Sequence, residues 1–220
     1  MRRSACHSGT LIGASRLAFT PVTYRLPDTK TVRDAAAHVR ALVHPQIYNH
    51  SIRTYLLGAE AARRDGETDL DDEIFCVAAL FHDSGTADEY NGPARFEIEG
   101  ADAAAEFLSD RGFDADAVDA AWQAIALHTT PGIPERRGAI PHYLRTGVMI
   151  EFGPPELRQS YAEAIAAAEE DLPRHRLEQT LESLVVQQAL ANPHKAPRLS
   201  WAAELVAHHD PDREGINPGF

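Results

Sequence analysis

The apolar segment 74–81 runs directly into His82 and Asp83, and Gly85 follows two residues later. A segment of this composition has to be buried, so it carries an imidazole and a carboxylate into the interior at its end. Buried polar groups without partners destabilise a fold, and both groups therefore need one. A divalent metal satisfies both, because neutral imidazole and ionised carboxylate are ordinary metal ligands. The segment predicts a core helix that ends in metal ligands.

Hydrophobic spacing elsewhere in the chain predicts an all-α fold. Apolar residues recur at helical intervals between breaks made by glycine and proline, and no alternation typical of strands has a useful length. Asp28 and Asp114 are the expected N-caps of two of these helices. The predicted helical segments are 28–43, 45–64, 71–81, 96–112, 114–128, 140–151, 155–172, 174–191 and 198–208. We expect about seven to nine helices.

The length of 220 residues suits one domain with a single core. We predict that residues 1–20 form a loosely ordered N-terminal extension and that residues 21–210 form the domain. Residues 211–220, which contain Pro211 and Pro218, are predicted to be an irregular C-terminal tail.

Composition narrows the range of partners. The chain has 33 acidic and 21 basic residues, a net charge of −12 that repels phosphate backbones, so nucleic-acid binding is not expected. No apolar stretch approaches the roughly 20 residues of a membrane helix. Cys6 and Cys76 do not suggest a disulfide framework, which fits a cytoplasmic protein. We expect a small-molecule substrate, and the sequence leaves a homo-oligomer open.

Further polar side chains lie in or at the ends of other apolar helical segments. His50 lies on the predicted helix 45–64, His128 closes the helix 114–128, and Glu151 lies near the end of the helix 140–151. A polar group on a core-facing helix surface requires a partner in the same way as the His82–Asp83 pair. These residues are therefore the candidates for a shared site.

The order of these residues resembles the HD-domain superfamily of metal-dependent enzymes, whose signature is a histidine, then a His-Asp pair, then a late carboxylate. His50, His82, Asp83 and Glu151 follow that order. Within the superfamily, the blocks at 49–55, 80–85, 95–101 and 124–129 resemble the cyanamide hydratase-like group. The resemblance covers about residues 24–155. It implies an HD-domain helical bundle with a single core.

The resemblance also implies one divalent metal, for which we expect zinc, with iron or manganese as alternatives. His50, His82, Asp83 and Glu151 are the implied ligands. The superfamily usually has aspartate in the last position, whereas this chain has Glu151. Glutamate is an acceptable oxygen ligand but is one methylene longer, so its backbone has to lie slightly further from the metal.

The chemistry implied is a hydratase (lyase) reaction in which water adds to a carbon–nitrogen multiple bond, as from cyanamide to urea. The metal lowers the pKa of a bound water and so provides the nucleophile. His128 is the expected proton donor or substrate-orienting group, and Asp83 is an alternative base. Arg53, three residues after His50, is expected to bind substrate or a ligand carboxylate, and Glu97 to support the substrate site.

Three other functions remain open from the sequence. An HD phosphohydrolase of a nucleotide or phosphomonoester would need several cationic side chains near the site, and Arg53 and Arg95 are the evident ones. A di-iron oxygenase would need further histidines, for which only His128 and His142 are available. A non-catalytic helical binding protein would not need to retain every ligand type.

Overall fold

A computed structural model describes residues 25–220, and the predicted N-terminal extension 1–20 lies outside the described residues. The described part contains ten α-helices and no strand, which confirms the all-α prediction. The helices are α1 Lys30–Leu42, α2 Pro45–Asp65, α3 Asp72–Phe81, α4 Phe96–Ser109, α5 Ala115–Leu127, α6 Ala139–Phe152, α7 Pro155–Ser160, α8 Ala162–Asp171, α9 Leu177–Ala191 and α10 Trp201–Ala207. Among residues 25–220, no helix combines the length and apolar character that crossing a membrane requires.

Side-chain caps fix where helices begin. The Asp114 side chain accepts a hydrogen bond from the backbone N–H of Ala117, as predicted for an N-cap. The prediction for Asp28 is wrong, because Thr29 occupies the extended position before α1 and its hydroxyl accepts from Val32. Asp28 pairs with Arg33 instead.

The predicted helix 155–172 is divided into α7 and α8 at Tyr161. The Arg64 guanidinium lies 4.1 Å from the centre of the Tyr161 ring, and it also donates to the backbone carbonyl of Ser160. These contacts hold the chain at the break, where Tyr161 leaves the helical conformation. Apolar spacing alone does not reveal such a break, because the apolar pattern continues on both sides of it.

Helix α3 is the central element of the core. All of its residues from Ile74 to Phe81 are buried, with at most 1% of their surface exposed. Helices α1, α2, α4, α5 and α6 pack around it. The buried helix predicted from the apolar run therefore brings His82 and Asp83 into the interior.

Helices α2 and α6 approach each other closely at Gly147. A Cβ atom at this position would overlap the backbone carbonyl of Thr54 on α2. Thr54 is one turn beyond His50, and Gly147 is one turn before Glu151, so the close approach brings His50 and Glu151 together. The glycine thus sets the distance between two helices that contribute to the site.

The C-terminal residues pack against the helical domain. Residues 208–220 form no helix, but Asn217 is 1% exposed and donates hydrogen bonds to Glu182 on α9 and to the carbonyl of Leu205 on α10. Residues 211–220, the range of the predicted tail, are part of the packed structure. Asn217 is a buried attachment point of this segment, and no periodic pattern in the sequence marks that residue.

We expect Gly147→Ala to lower the free energy of unfolding by about 1–3 kcal/mol, because the added methyl group forces α2 and α6 apart. Chemical denaturation of the purified chain measures the effect. Gly215→Ala is the matched control, since a Cβ there meets nothing within 4 Å. Equal stability of the two variants would contradict the role assigned to Gly147.

Candidate metal centre

Three buried side chains from two helices form a group that could hold a metal. His50 comes from α2, and His82 and Asp83 follow the last residue of α3. The Nε2 atoms of His50 and His82 lie 3.0 Å apart, and Asp83 Oδ2 lies 3.3 Å from the first and 3.4 Å from the second. Within residues 25–220 this is the group of three or more histidine, cysteine or acidic residues whose ligand atoms converge.

Hydrogen bonds fix the protonation of the far nitrogen on each imidazole. His82 Nδ1 lies 2.7 Å from the carbonyl of Ala79, and His50 Nδ1 lies 2.7 Å from Glu151 Oε2. Both Nδ1 atoms face acceptors and therefore carry a proton. In each neutral ring the lone pair is then on Nε2, which is the nitrogen that faces the other ligands.

The donor set fits a divalent cation. Asp83 Oδ2 is buried and has no hydrogen-bond partner, although it lies beside two imidazole nitrogens. Two imidazole lone pairs and a carboxylate oxygen around one point require either a shared proton or a positive ion. Nitrogen and oxygen donors of this kind suit zinc, iron or manganese.

Burial and neighbouring charges set the charge states of the three residues. Burial lowers the pKa of His82 from 6.5 to about 3, so its imidazole stays neutral at physiological pH. Burial opposes ionisation of Asp83, but the surrounding imidazoles outweigh it and hold its pKa well below 3.8. Burial also lowers the pKa of His50, but the carboxylates of Glu151 and Asp83 raise it by more. A cation at this site would replace the proton that His50 attracts.

Glu151 contacts the side of the His50 ring that faces away from the group. Its Oε2 accepts from His50 Nδ1, and its Oε1 accepts from Arg53 and from Arg174 at 2.8 Å each. Burial opposes ionisation of Glu151, but His50 and the two arginines lower its pKa from 4.5 to about 2. Glu151 is thus a buried carboxylate that orients His50.

The structure does not place Glu151 among the converging ligand atoms, where the sequence predicts a fourth ligand. Both of its oxygens are engaged with hydrogen-bond donors, and His50 lies between the carboxylate and the group. The physical reason is the pair of arginines, which hold the carboxylate behind the ring. The arrangement is the carboxylate–histidine pairing that often orients a metal ligand.

Arg53 was predicted to bind substrate or a ligand carboxylate. Its guanidinium is 1% exposed, donates to Glu151, and also donates to the carbonyl of Leu172 at 2.8 Å. It does not line the cavity described below. The structure therefore brings Arg53 to a carboxylate of the site and not to the space where a substrate would bind.

His128 approaches the group from the end of α5. Its Nδ1 lies 2.6 Å from the carbonyl of Ile125, so its Nε2 faces inward, 3.4 Å from Asp83 Oδ1. The two oxygens of Asp83 are thus divided between the two histidines of the group and His128. His128 stands beside the group at a place where it can exchange a proton with a molecule bound there.

Glu97, predicted to support the substrate site, is fully buried in the first turn of α4. Its Oε1 accepts a hydrogen bond from the hydroxyl of Thr129 at 2.7 Å, and Thr129 lines the cavity beside His128. Glu97 itself does not line the cavity. Its position is consistent with support for the segment that follows α5.

Gly85 allows α4 to pack against the turn that follows the His82–Asp83 pair. A Cβ atom at Gly85 would overlap the backbone carbonyl of Phe96, the first residue of α4. The contact fixes α4 against the end of α3. The glycine seen in the sequence two residues after Asp83 therefore has a steric role.

A cavity of about 470 Å³ opens next to the group. Its polar lining includes His50, His82, Asp83, His128 and Arg145. Its remaining walls are mostly apolar and are formed by Pro131, Val148, Met149, Phe152, Pro154, Leu181, Trp201 and Phe220. A concave, largely apolar pocket with a few convergent polar groups is the usual form of a small-molecule site.

Several residues of the site were not foreseen from the sequence. Arg145, Val148, Met149 and Phe152 are spaced at i, i+3, i+4 and i+7 on α6, so helical periodicity could have placed them on one face. Arg174, Trp201 and Phe220 are distant in sequence. The sequence around Trp201 suggests only a role in helix packing. No local pattern marks any of these three residues as part of a site.

A comparison with protein families matches residues 47–189 to the model of the HD domain. The matched range contains the three residues of the group and ends within α9. HD domains are typical of metal-dependent hydrolases, and they bind divalent metals. A comparison with curated proteins finds no match.

We expect Glu151→Gln to weaken zinc binding by about 10–100-fold, because the amide orients His50 less well and makes its ring less basic. His82→Ala should cause a larger loss, since it removes a ligand atom. Isothermal titration with zinc measures both. Glu178→Gln is the matched control, because Glu178 bonds Arg174 but not His50. A loss in Glu151→Gln equal to that in His82→Ala would contradict the orienting role.

The metal-free chain should lose stability in acid partly through Glu151. The pKa of this carboxyl is lower in the folded chain than in the unfolded chain, so the unfolded state binds the proton first. The ionised Glu151 carboxylate contributes fully to the free energy of unfolding above pH 4.5, and this contribution is lost as the pH falls toward about 2. Chemical denaturation at several pH values gives the free energy of unfolding as a curve against pH. Between pH 5.5 and 3.5 this curve should fall more steeply for the wild type than for Glu151→Gln. Parallel curves for the two proteins would contradict this assignment.

Proposed function

The chain belongs to the HD-domain family, and we propose that it is a metal-dependent hydratase that adds water to the carbon–nitrogen triple bond of a small nitrile-type molecule. The conversion of cyanamide into urea is the simplest case. The observation that carries the proposal is the cavity beside His50, His82 and Asp83, which has metal-ligand chemistry at one end and mostly apolar walls elsewhere. Such a site suits a neutral substrate.

His50, His82 and Asp83 would hold the metal, with Glu151 fixing the orientation of His50. A divalent ion such as zinc lowers the pKa of bound water and so supplies a nucleophile at neutral pH. Burial of all three residues keeps bulk water away from the donor atoms. The low pKa of His82 keeps its Nε2 lone pair available.

His128 is the proposed proton carrier. Its Nδ1–H donates to the carbonyl of Ile125, so the lone pair on Nε2 faces the reacting molecules and can accept a proton from the attacking water. The same nitrogen then donates a proton to the nitrile nitrogen, on which negative charge develops. Asp83 Oδ1 lies 3.4 Å from this nitrogen.

The distribution of cations favours the hydratase over a phosphohydrolase. Among the described residues that line the cavity, Arg145 is the one arginine or lysine. Its guanidinium already donates to the carbonyl of His128, and burial lowers its pKa. Arg53 and Arg174 are paired with Glu151, and Arg95 lies 3.6 Å from Glu97. A transferred phosphoryl group needs more positive charge than this.

A two-metal oxygenase is less well supported. His50, His82 and His128 are the histidines that line the cavity among residues 25–220, and His142 is directed to the carbonyl of Glu135 instead. Beside the ligands of the first ion, His128 is then the one histidine of this lining that a second ion could use. A purely binding function would not explain why Asp83 Oδ2 is buried without a hydrogen-bond partner.

We expect the zinc-loaded chain to release urea from cyanamide, and His82→Ala to abolish this activity because it removes a ligand. His128→Ala should retain zinc but lose about 10²–10⁴-fold in rate, the usual range for loss of a general acid–base group. Urea formation and zinc content are measured on the same samples. His208→Ala, at an exposed histidine of the C-terminal segment, is the matched control and should behave as wild type.

Release of phosphate from a phosphomonoester, with no urea from cyanamide or from a substituted cyanamide, would overturn the hydratase proposal in favour of a phosphohydrolase. Two equivalents of iron in the active protein would favour the oxygenase. Full activity in His128→Ala would remove the proton-carrying role from this residue.

A further inference from the structure

The cavity is much larger than cyanamide. Its volume is about 470 Å³, within the range of roughly 300–1,000 Å³ found for pockets that enclose drug-sized ligands. Cyanamide has only three non-hydrogen atoms, and a single water molecule takes about 30 Å³ in the liquid, so cyanamide fills a small part of this volume. Most of the cavity would then be filled by solvent against apolar walls, which is unfavourable. The space is therefore suited to a substrate with a substantial substituent.

A continuous aromatic wall leads away from the metal ligands. The ring centre of Phe152 lies 5.1 Å from that of His50 and 5.4 Å from that of Phe220, and Phe220 lies 5.3 Å from Trp201. The Phe220 and Trp201 rings meet edge to face, at 81°. Ring spacings of this kind are typical of stable aromatic packing, and Phe152, Trp201 and Phe220 all line the cavity.

The far part of this wall is held in place by hydrogen bonds. Trp201 Nε1 donates to the carbonyl of Gly219 at 2.8 Å, and the backbone N–H of Gly219 donates to the side chain of Asn217 at 2.8 Å. Asn217 in turn donates to Glu182 on α9. The position of Phe220 is thus tied to buried groups of the domain, and its ring is a fixed part of the cavity.

The side chains that form this wall of the cavity are uncharged. The side chains of Val148, Met149, Leu181, Trp201 and Phe220 are uncharged, and the Arg174 guanidinium near Phe152 is engaged with Glu151 and Glu178. A charged substituent placed against this wall would lose its hydration without gaining a partner. The wall therefore favours a neutral group.

We propose that the substrate carries a neutral aromatic ring that packs against Phe152, Trp201 and Phe220 while its nitrile-type head reaches His50, His82 and Asp83. The identity of the head rests on the hydratase function proposed above, whereas the aromatic substituent rests on the cavity. Trp201 and Phe220 are then specificity-determining residues. Val148 and Met149, on the same face of α6 as Phe152, also line the cavity.

The reaction of such a substrate balances without a further reactant. The oxygen of water bonds to the nitrile carbon as one carbon–nitrogen π bond breaks, and one water proton goes to the nitrogen. Tautomerisation then moves the remaining water proton to the same nitrogen, with the second carbon–nitrogen π bond replaced by a carbon–oxygen π bond. N-Phenylcyanamide would thereby give phenylurea. No oxidant or reductant takes part.

Calorimetry of the zinc-loaded full-length chain with phenylurea and with urea tests the proposal without turnover. We expect phenylurea to bind at least about tenfold more tightly, because burial of an aromatic ring adds affinity of this order. Phe220→Ala should weaken phenylurea binding by a larger factor than it weakens urea binding. Val148→Phe, which fills the cavity, should remove the preference for phenylurea. Leu190→Ala, at an exposed apolar residue of α9, is the matched control.

Equal affinity for urea and phenylurea would overturn the proposal that the substrate carries an aromatic ring, even if cyanamide were hydrated. Tight binding of 4-carboxyphenylurea, equal to that of phenylurea, would overturn the neutral character of the wall. If phenylurea is preferred but neither cyanamide nor N-phenylcyanamide is hydrated, the aromatic site stands and the hydratase function fails. Circular dichroism shows whether each variant folds. If Val148→Phe does not fold, the ratio of phenylurea to urea affinity in Phe220→Ala decides whether the aromatic wall binds the ring.

Discussion

The buried carboxylate of Glu151 is the interaction on which the arrangement of this protein depends. It accepts hydrogen bonds from His50 on α2, from Arg53 one turn later, and from Arg174 in the connection before α9. Glu151 itself lies on α6, so a single charged group joins three parts of the chain. Removing one partner from a buried ion pair commonly costs about 3–5 kcal/mol, because the remaining charge is left in the interior. The network therefore fixes helix positions as well as the His50 ring.

The same network explains how buried side chains can form a cation site in the interior. With Nδ1 of His50 engaged by Glu151 and Nδ1 of His82 engaged by Ala79, both lone pairs face Asp83. The Asp83 Oδ2 atom lacks a hydrogen-bond partner within the described chain, so the three groups together favour a positive charge between them. Family membership and geometry agree on this point, because HD domains bind divalent metals. The cavity beside the group then determines which molecules reach it.

Much of the fold and part of the site follow from local patterns in the sequence. The apolar segment before His82 predicted the buried helix, and helical spacing predicted the all-α class, because both signals are local. The role of Glu151 could not be read in this way, since it depends on Arg174, which lies in an irregular segment with no periodic signal. Phe220 and Trp201 were missed for the same reason: they reach the cavity through hydrogen bonds of Asn217 and Gly219 that only the folded chain reveals.

The central claim is that His50, His82 and Asp83 bind the metal directly while Glu151 acts through His50. X-ray absorption spectroscopy of the zinc-loaded chain, combined with a crystal structure using anomalous scattering at the zinc edge, tests it most directly. The account predicts one zinc ion within about 2.0–2.3 Å of both Nε2 atoms and an Asp83 oxygen. The Glu151 carboxylate should remain on His50 Nδ1. A zinc ion bound to a Glu151 oxygen, or to Nδ1 of His50, would contradict the account.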